Sequence, residues 1–489
     1  MLWSAAWIEG LRVRPGLVVV LAACVLAVAS AIVPVALYAS PPLDLNFYLL
    51  HAREWLLATD AGGSLVTVLV RAVLEYTGVR GIYVLFSLAP ILSAWLVYRL
   101  ASRVVGRSLG GAAGLLFLAI YAIGTVSQPF APDRIVLPIV MWVALDAWRL
   151  LGERKSRAWP GLMAACGVAL FTGWIGWASA FAVVGLVLFT AAGRAALRTK
   201  DIVQPIAVGA TFLIPFVLLA HHYRPSLGIG ATFDGRALLL LAAGLLLVIV
   251  PAALLIAMSS PLGDAEQIGD VPELARRPLS PFFVTFALVM AVVPLAAVVA
   301  TSILGAELSV WSTPVPALLA IALVAARGEF VGVHRRGALA AIWLFCLFAP
   351  ATIAGVTTLG APYFSRAGQD VNFPARALAI PLTEAATRRA GYPPVIIGGD
   401  VRLAAPLALA SPARPKLLSQ AFPGAEEQLG MLVVWRITTD SREPPPDIRR
   451  RWPKLEAQAP IVVQWAMHGR LEPLRLGWGI APAESDSPQ

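Results

Sequence analysis

The chain has 489 residues, of which 58% are hydrophobic and 13% are charged, and its net charge at pH 7 is +10. Globular domains usually carry about 25% charged residues, so this composition excludes a soluble globular enzyme for most of the chain. Many apolar runs exceed the roughly 18 residues that cross a bilayer, which predicts a polytopic α-helical membrane protein. Basic residues cluster in short loops between these runs, so the positive charge indicates membrane topology and not nucleic-acid binding.

The first membrane span is predicted at about residues 15–38. Arg12 and Arg14 precede its apolar run, and the small residues at 28–31 are typical of a signal-peptide cleavage site. The apolar run nevertheless continues to Tyr38, which favours an uncleaved anchor over a removed leader.

An outer loop with amphipathic helices is predicted at residues 39–80, directly after this span. It opens with Asp44, after which apolar side chains recur at helical spacing on one face (Leu45, Tyr48, Leu49, Ala52, Leu56). Such a helix is predicted to lie along the membrane surface. A carboxylate held at the membrane surface is a candidate general base. The alternative is that Asp44 caps the helix. His51, one to two turns further on, is a candidate to share the site.

About eleven transmembrane helices are predicted in all. After the first, they lie near residues 81–100, 109–127, 135–151, two within 159–193 that break near 172–177, 204–220, 237–258, 280–303, 315–327 and 338–358. With a cytoplasmic N-terminus, inside loops hold about seventeen Lys and Arg residues and outside loops about six, the asymmetry that orients such proteins. The sequence therefore predicts a multi-pass membrane protein with a cytoplasmic N-terminus, and with the polar outer loops and everything after residue 359 on the outer side.

The composition changes at residue 359, after which roughly 130 residues contain no spanning run. Helical patterns near 374–390 and 402–410 alternate with apolar strand-like runs at 395–399, 431–437 and 461–467. We therefore predict two domains, a membrane domain at 1–358 and a small extracytoplasmic α/β domain at 359–489. Gly398, Gly399 and Asp400 follow a predicted strand, where they form either a phosphate-binding turn or, as we favour, a plain turn.

Two further outer loops carry candidate binding residues. Asp133 and Arg134 follow Pro132 in a tight turn, either as part of the site or as a helix cap and an arginine that reaches the interface. His221, His222 and Arg224 bunch at the outer end of the seventh span, where they would suit a phosphate group or an ordinary interfacial belt.

Trp311 lies at the outer end of a span, where it would stack on a sugar or belong to an aromatic belt. Glu307 near the histidines is compatible with a divalent metal, but no ligand spacing supports one, and we predict none. The three cysteines fall within apolar spans and are predicted to be core residues. Asp146, inside the fourth span, is predicted to pair with Arg149.

Taken together, these features resemble the GT-C glycosyltransferases, in particular the bacterial relatives of protein O-mannosyltransferases and lipid A aminoarabinose transferases. The shared pattern is a first outer loop that starts with an acid, a second outer turn with Asp133, a broken span, a late Trp–Pro loop and an outward α/β tail. The resemblance implies a membrane enzyme that moves a sugar from a polyprenyl-phosphate donor to a lipid, glycan or protein acceptor outside the cytoplasmic membrane. We predict no cofactor for this chain.

By position, Asp44 matches the first acid of the family's Asp-Glu pair, and Tyr48 lies where an aromatic residue is usual. Asp133 matches the acid of the second outer loop, and Trp311 with Pro314 matches the late Trp–Pro loop.

The sequence also departs from the family. Leu45 replaces the second acid of the pair, and Gly62-Gly63-Ser64 replaces a Lys-Pro-Pro stretch that would meet the donor phosphate. His221, His222 or Arg224 would then supply the missing charge. A catalytically inactive relative that binds a lipid carrier or a partner protein is one alternative, and a membrane transporter is another.

Overall fold

A computed structural model describes residues 13–54, 63–127, 130–198, 203–223, 239, 241–249, 280–303, 309–327, 336–365, 368–420, 430–437, 443–467 and 469–482. The chain forms two compact units. The helical unit comprises Met1–Ile32 and Leu57–Thr352, and the α/β unit comprises Val33–Leu56 and Ile353–Gln489. The α/β unit thus includes the start of the first predicted outer loop. The assignment of residues 1–358 to the membrane and 359–489 to the outside remains a prediction.

Apolar helices dominate the chain up to residue 364. They are α1 (Pro15–Leu37), α2 (Leu43–Arg53), α3 (Gly63–Val104), α4 (Arg107–Ser127), α5 (Val136–Leu151), α6 (Trp159–Leu170), α7 (Trp174–Phe189), α8 (Ala191–Leu197), α9 (Val203–Tyr223), α10 (Pro281–Ile303), α11 (Val315–Arg327) and α12 (Arg336–Phe364). Residues 241–249 are also helical. Within the described ranges, five helices are long and apolar enough to cross a membrane, or six if the bent pair α7 and α8 is one span. A helical membrane protein is thereby supported, and the count of about eleven spans stays a prediction.

The predicted break within residues 159–193 is confirmed. Helix α6 ends at Leu170 and α7 begins at Trp174, with Gly173 between them at φ +75°, a conformation that glycine adopts without strain. The start of α3 packs into this turn, because Leu65 N donates to Phe171 O over 2.9 Å.

The boundary predicted for the second span lies close to a break in α3. The span was expected to begin near residue 81 after a separate surface helix, and Gly63–Val104 is two helices that meet at a kink at Gly78. Gly78 has φ +67° and ψ −165°, so a single glycine separates the two helices where a loop was expected.

Ionic contacts join two loops at one end of the helical unit. Arg103 Nη1, at the end of α3, lies 2.7 Å from Glu153 Oε1, and Lys155 Nζ lies 2.7 Å from Glu153 Oε2. Partial burial acts to raise the pKa of Glu153, but the hydrogen bonds from Lys155 and Arg103 outweigh it and hold the pKa below its ordinary value. These loops are the ones predicted to share the cytoplasmic side.

The α/β unit contains a six-stranded sheet. Its elements after α12 are α13 (Ala375–Ala390), β1 (Ile396–Gly399), α14 (Val401–Ala410), β2 (Lys416–Leu417), β3 (Met431–Arg436), α15 (Pro446–Arg451), β4 (Glu456–Ala457), β5 (Ile461–Val463) and β6 (Leu474–Ala481). The strand order is β2-β1-β3-β6-β4, and β5 also pairs with β6. Strand β1 is parallel to β2 and β3, whereas β6 is antiparallel to its three neighbours.

Both faces of this sheet are covered, which explains the continuous apolar run of β3. Leu432 and Val434 face a core that includes α13 and α14, whereas Val433 and Trp435 face a smaller core on the other side. Two of the strands predicted from sequence are confirmed at β1 and β3. The third is shorter than predicted, because only residues 461–463 of the run 461–467 form a strand.

Helix α2 belongs to the core of the α/β unit. Leu50 is buried among residues of α13, α14 and the sheet, and Leu43 and Phe47 pack against the same core. Asn46, expected on a polar face, is also buried. The apolar face predicted to meet the membrane, with Leu45, Tyr48, Leu49 and Ala52, is buried within the protein as well, so these side chains do not face a lipid surface.

Candidate functional site

Asp44 lies in the first turn of α2, and its side chain is exposed. The helix begins at Leu43 with Pro42 in the capping position and has no side-chain cap, so the interpretation of Asp44 as the cap is wrong. An acid in the first turn still interacts favourably with the helix dipole. Leu45, at the position of the family's second acid, is buried, so that position faces the core and away from solvent.

Charged groups from α2 and α14 lie near Asp370 in the α/β unit. Burial raises the pKa of Asp370, Arg402 partly offsets this effect, and the negative charges of Asp44 and Asp400 raise the pKa further. Asp370 opens the 3₁₀ turn Asp370–Asn372, and Asp400 caps α14 by accepting from Arg402 N over 3.0 Å. The exposed carboxylate of Asp44 therefore lies within electrostatic range of a second, half-buried carboxylate.

Hydrogen bonds to backbone carbonyl groups hold this arrangement together. Ala39 N and Ser40 N both donate to Val371 O, over 2.9 and 3.2 Å, which ties the segment before α2 to the turn of Asp370. Asn46 Nδ2 donates to Pro41 O over 2.8 Å, and Asn372 Nδ2 donates to Thr358 O over 3.2 Å. Helix α14 packs directly on α2. The turn of Asp370 is thus fixed beside the start of α2.

The structure assigns mainly structural contacts to the other candidates on α2. Tyr48 is buried, in agreement with its place on the apolar face of the helix, and its role in donor or acceptor binding stays a prediction. His51 Nδ1 lies 2.8 Å from Phe47 O, one turn back in the same helix, and its side chain is half-buried.

The second outer turn is described in the helical unit. Asp133 lies in the 3₁₀ turn Pro132–Ile135, and the residue that caps α5 is Ile135, so Asp133 does not cap that helix. The side chain of Asp133 lies outside the described part of the structure. Phe130, just before the turn, packs on Tyr83 of α3 with ring centroids 4.9 Å apart.

Arg134 does not reach an interface, because its side chain is only 2% exposed. Its Nη2 donates to Gly124 O over 2.8 Å, and its guanidinium carbon lies 5.7 Å from the Tyr121 ring centroid, within the range of a cation–π contact. Burial of this arginine was missed because an Asp-Arg pair in a loop normally points to solvent.

Trp311 is also buried, at 3% exposure, in the 3₁₀ turn Val310–Ser312. Its ring lies against Gly124, where a methyl group would come within 2.6 Å of Cε2. Neither side chain is exposed, and the binding of a donor or acceptor by Arg134 and Trp311 stays a prediction. The structure brings these two residues together at Gly124.

The remaining candidates cannot be placed. The side chains of His221 and His222, in the last turn of α9, lie outside the described part, as do Arg224 and Glu307 as whole residues. In the described ranges, no three His, Cys, Asp or Glu side chains form a group suited to a metal ion. Asp146 pairs with Arg149 as predicted, with Oδ1 accepting from Nη1 over 2.7 Å.

Asp370 and Arg402 were missed by sequence reasoning. No local motif marks either residue, and both lie far along the chain from Asp44. Asp400 was noted only as part of a turn after a strand, and the structure places it as the cap of α14.

Comparison with known proteins supports the resemblance. Residues 63–222 match the family described as dolichyl-phosphate-mannose-protein mannosyltransferase, a range that includes the turn of Asp133. No curated protein matches the chain by sequence.

Two solved structures of ArnT from Cupriavidus metallidurans share the fold. The form bound to undecaprenyl phosphate has a TM-score of 0.55 and the apo form 0.57. Each is 15% identical, and each match covers 96% of this chain and 99% of ArnT. The resemblance to GT-C glycosyltransferases of the ArnT and protein mannosyltransferase type is thus confirmed at the level of the fold.

Proposed function

We propose that this chain is a membrane glycosyltransferase that transfers a sugar from a polyprenyl-phosphate donor to an acceptor outside the cytoplasmic membrane. The observation that carries the proposal is the similarity of fold along nearly the whole chain to ArnT, one structure of which holds undecaprenyl phosphate. The family match over residues 63–222 supports the same class of reaction. The acceptor is a lipid, a glycan or a protein.

Asp44 is the proposed general base. Its exposed carboxylate at the start of α2 would take the proton from the acceptor as the acceptor attacks the anomeric carbon. The bond from the sugar to the polyprenyl phosphate breaks in the same displacement, and the phosphate leaves with the electron pair. Phosphate leaves readily, so the reaction needs no general acid.

Asp133 is the proposed second acid, which would help to position the acceptor. The donor phosphate needs cations or hydrogen-bond donors near it, and we propose His221, His222 and Arg224 for that role. Arg224 suits it best, since a guanidinium binds phosphate through two parallel hydrogen bonds.

The test is release of polyprenyl phosphate by the purified full-length chain, with a panel of polyprenyl-phosphate sugars and lipid or peptide acceptors. We expect Asp44→Asn to lower kcat by about 100-fold or more, because general-base catalysis contributes that much. Asp447→Asn, a matched change on the exposed helix α15, should retain wild-type activity.

Two outcomes would contradict the proposal. An Asp44→Asn variant with wild-type turnover would remove the proposed base. A wild-type chain that binds polyprenyl phosphate but transfers no sugar from any donor would instead support a non-catalytic carrier-binding protein.

A further inference from the structure

Gly124 is the point where two outer turns of the helical unit meet. It lies in the last turn of α4, and the 3₁₀ turns Pro132–Ile135 and Val310–Ser312 contact each other beside it. Arg134 from the first turn donates to its carbonyl oxygen, and the Trp311 ring from the second lies over its α-carbon. We call these three residues the Gly124 contact.

Each part of the Gly124 contact has a physical reason. The last four carbonyl groups of a helix have no donor within the helix, so Arg134 satisfies one of them and places a positive charge at the negative end of α4. The ring of Trp311 approaches so closely that any side chain at position 124 would displace it. The Trp311 turn is itself braced, because Thr313 Oγ1 donates to Val310 O over 2.6 Å.

The turn that contains Asp133 is held on both sides. Before it, Phe130 packs on Tyr83, and after it, Arg134 reaches into the Gly124 contact. A short turn with both ends fixed has little freedom to move its middle residue, and that residue is Asp133.

We propose that Gly124 is a positioning residue, which fixes the turn of Asp133 by seating Trp311 and accepting the hydrogen bond of Arg134. The inference rests on the proposed function, in which Asp133 helps to place the acceptor. Arg134 and Trp311 then act on the reaction through the position of the turn and do not touch the substrate.

The test compares Gly124→Ala with Gly185→Ala, a matched change on α7 where an added methyl group meets nothing within 4 Å. We expect Gly124→Ala to lower kcat by about 10- to 100-fold, the effect of a displacement of about 1 Å in a positioned group. The KM for the donor should stay unchanged, since the donor phosphate is bound elsewhere. Gly185→Ala should behave as the wild type.

A double-mutant cycle separates positioning from general damage. In a Trp311→Leu background the large ring is gone, so Gly124→Ala should have little further effect on kcat. Additive losses, or a Gly124→Ala variant with wild-type kcat, would overturn the inference.

A second measurement does not depend on activity. A spin label on Ala131→Cys, in a chain whose three cysteines are replaced by serine, reports the order of the turn. We expect a broad, ordered spectrum that sharpens in Gly124→Ala and not in Gly185→Ala, and an unchanged spectrum in Gly124→Ala would overturn the inference. If the wild type transfers no sugar, the proposed function fails while this measurement still tests the Gly124 contact.

Discussion

Arg53 Nη2 donates to the carbonyl oxygen of Pro415 over 2.7 Å, and this bond joins the end of α2 to the turn before β2. Nη1 of the same side chain donates to Ala408 O in α14 over 2.9 Å. The fork of one guanidinium thus holds together segments that lie far apart in the sequence of the α/β unit.

Removal of the Arg53 guanidinium should destabilise the α/β unit. We expect Arg53→Ala to lower the free energy of unfolding by about 2 to 4 kcal/mol, because two charge-assisted hydrogen bonds are lost. Arg53→Lys should recover only part of this free energy of unfolding, since an ammonium group cannot donate to both carbonyl oxygens in the same way. Chemical denaturation in mild detergent measures the effect, and Arg376→Ala, at an exposed position of α13, serves as the control. Equal stability of Arg53→Ala and Arg376→Ala would contradict the structure.

Asp370 makes the stability of the α/β unit depend on pH. Burial, with Asp44 and Asp400 nearby, raises its pKa above the ordinary value of 3.8, despite Arg402. The folded state therefore binds the proton more tightly than the unfolded state, and stability falls as the pH rises from 3.8 through the raised pKa.

Removal of this charge should therefore stabilise the protein at neutral pH. We expect Asp370→Asn to melt at a higher temperature than the wild type at pH 7, and the difference to disappear near pH 3, where the carboxyl is protonated in both states. Glu384→Gln, at an exposed position of α13, is the control. A lower melting temperature for Asp370→Asn at pH 7 would count against this prediction.

Loss of Asp146 should lower the free energy of unfolding more than loss of an exposed acidic residue in the same helical unit. It is buried and accepts from both Arg149 Nη1 and Trp142 Nε1, at 2.7 and 2.9 Å. We expect Asp146→Ala to cost about 1.5 to 3 kcal/mol. The comparison is Glu75→Ala, which breaks the exposed pair with Arg71 and should cost roughly 0.3 to 0.5 kcal/mol. Unfolding in detergent measures both, and equal costs would show that Asp146 is not buried in this pair.

The predicted topology can be tested with single cysteines in a chain that lacks its three native ones. We expect a membrane-impermeant maleimide to label Asp447→Cys on intact spheroplasts, because the α/β unit is predicted to be extracytoplasmic. Lys155→Cys, in the exposed loop of Glu153, should be labelled only after the membrane is permeabilised. The reverse pattern would place Asp44 on the wrong side for the proposed reaction.

Sequence periodicity predicted the helices well, because long apolar runs leave few alternatives. It placed the boundaries of α5, α10 and α11 within one or two residues, and it found the break at Gly173. It missed β6, which pairs with three strands, because Arg475 and two glycines interrupt the apolar run of that segment. A strand of this kind is stabilised by its neighbours more than by its own residues.

The candidate site was harder to predict, because it depends on contacts between segments that lie far apart in the sequence. Asp44 was found because it starts a helix directly after a span, a signal that is local in sequence. The proximity of Asp370 and Asp44 depends on tertiary packing, and so does the burial of Arg134 at Gly124. No pattern within a single segment carries that information.

The membership of α2 in the α/β unit has a consequence for biosynthesis. Leu50 has no complete core to enter until the residues of α13, α14 and the sheet, which extend to Trp478, emerge from the ribosome. This is roughly 430 residues later, or about 20 to 85 s at usual elongation rates. Throughout that interval α2 lacks the partners that bury Leu50 in the folded protein. A chaperone that shields this helix would therefore raise the yield of the folded protein.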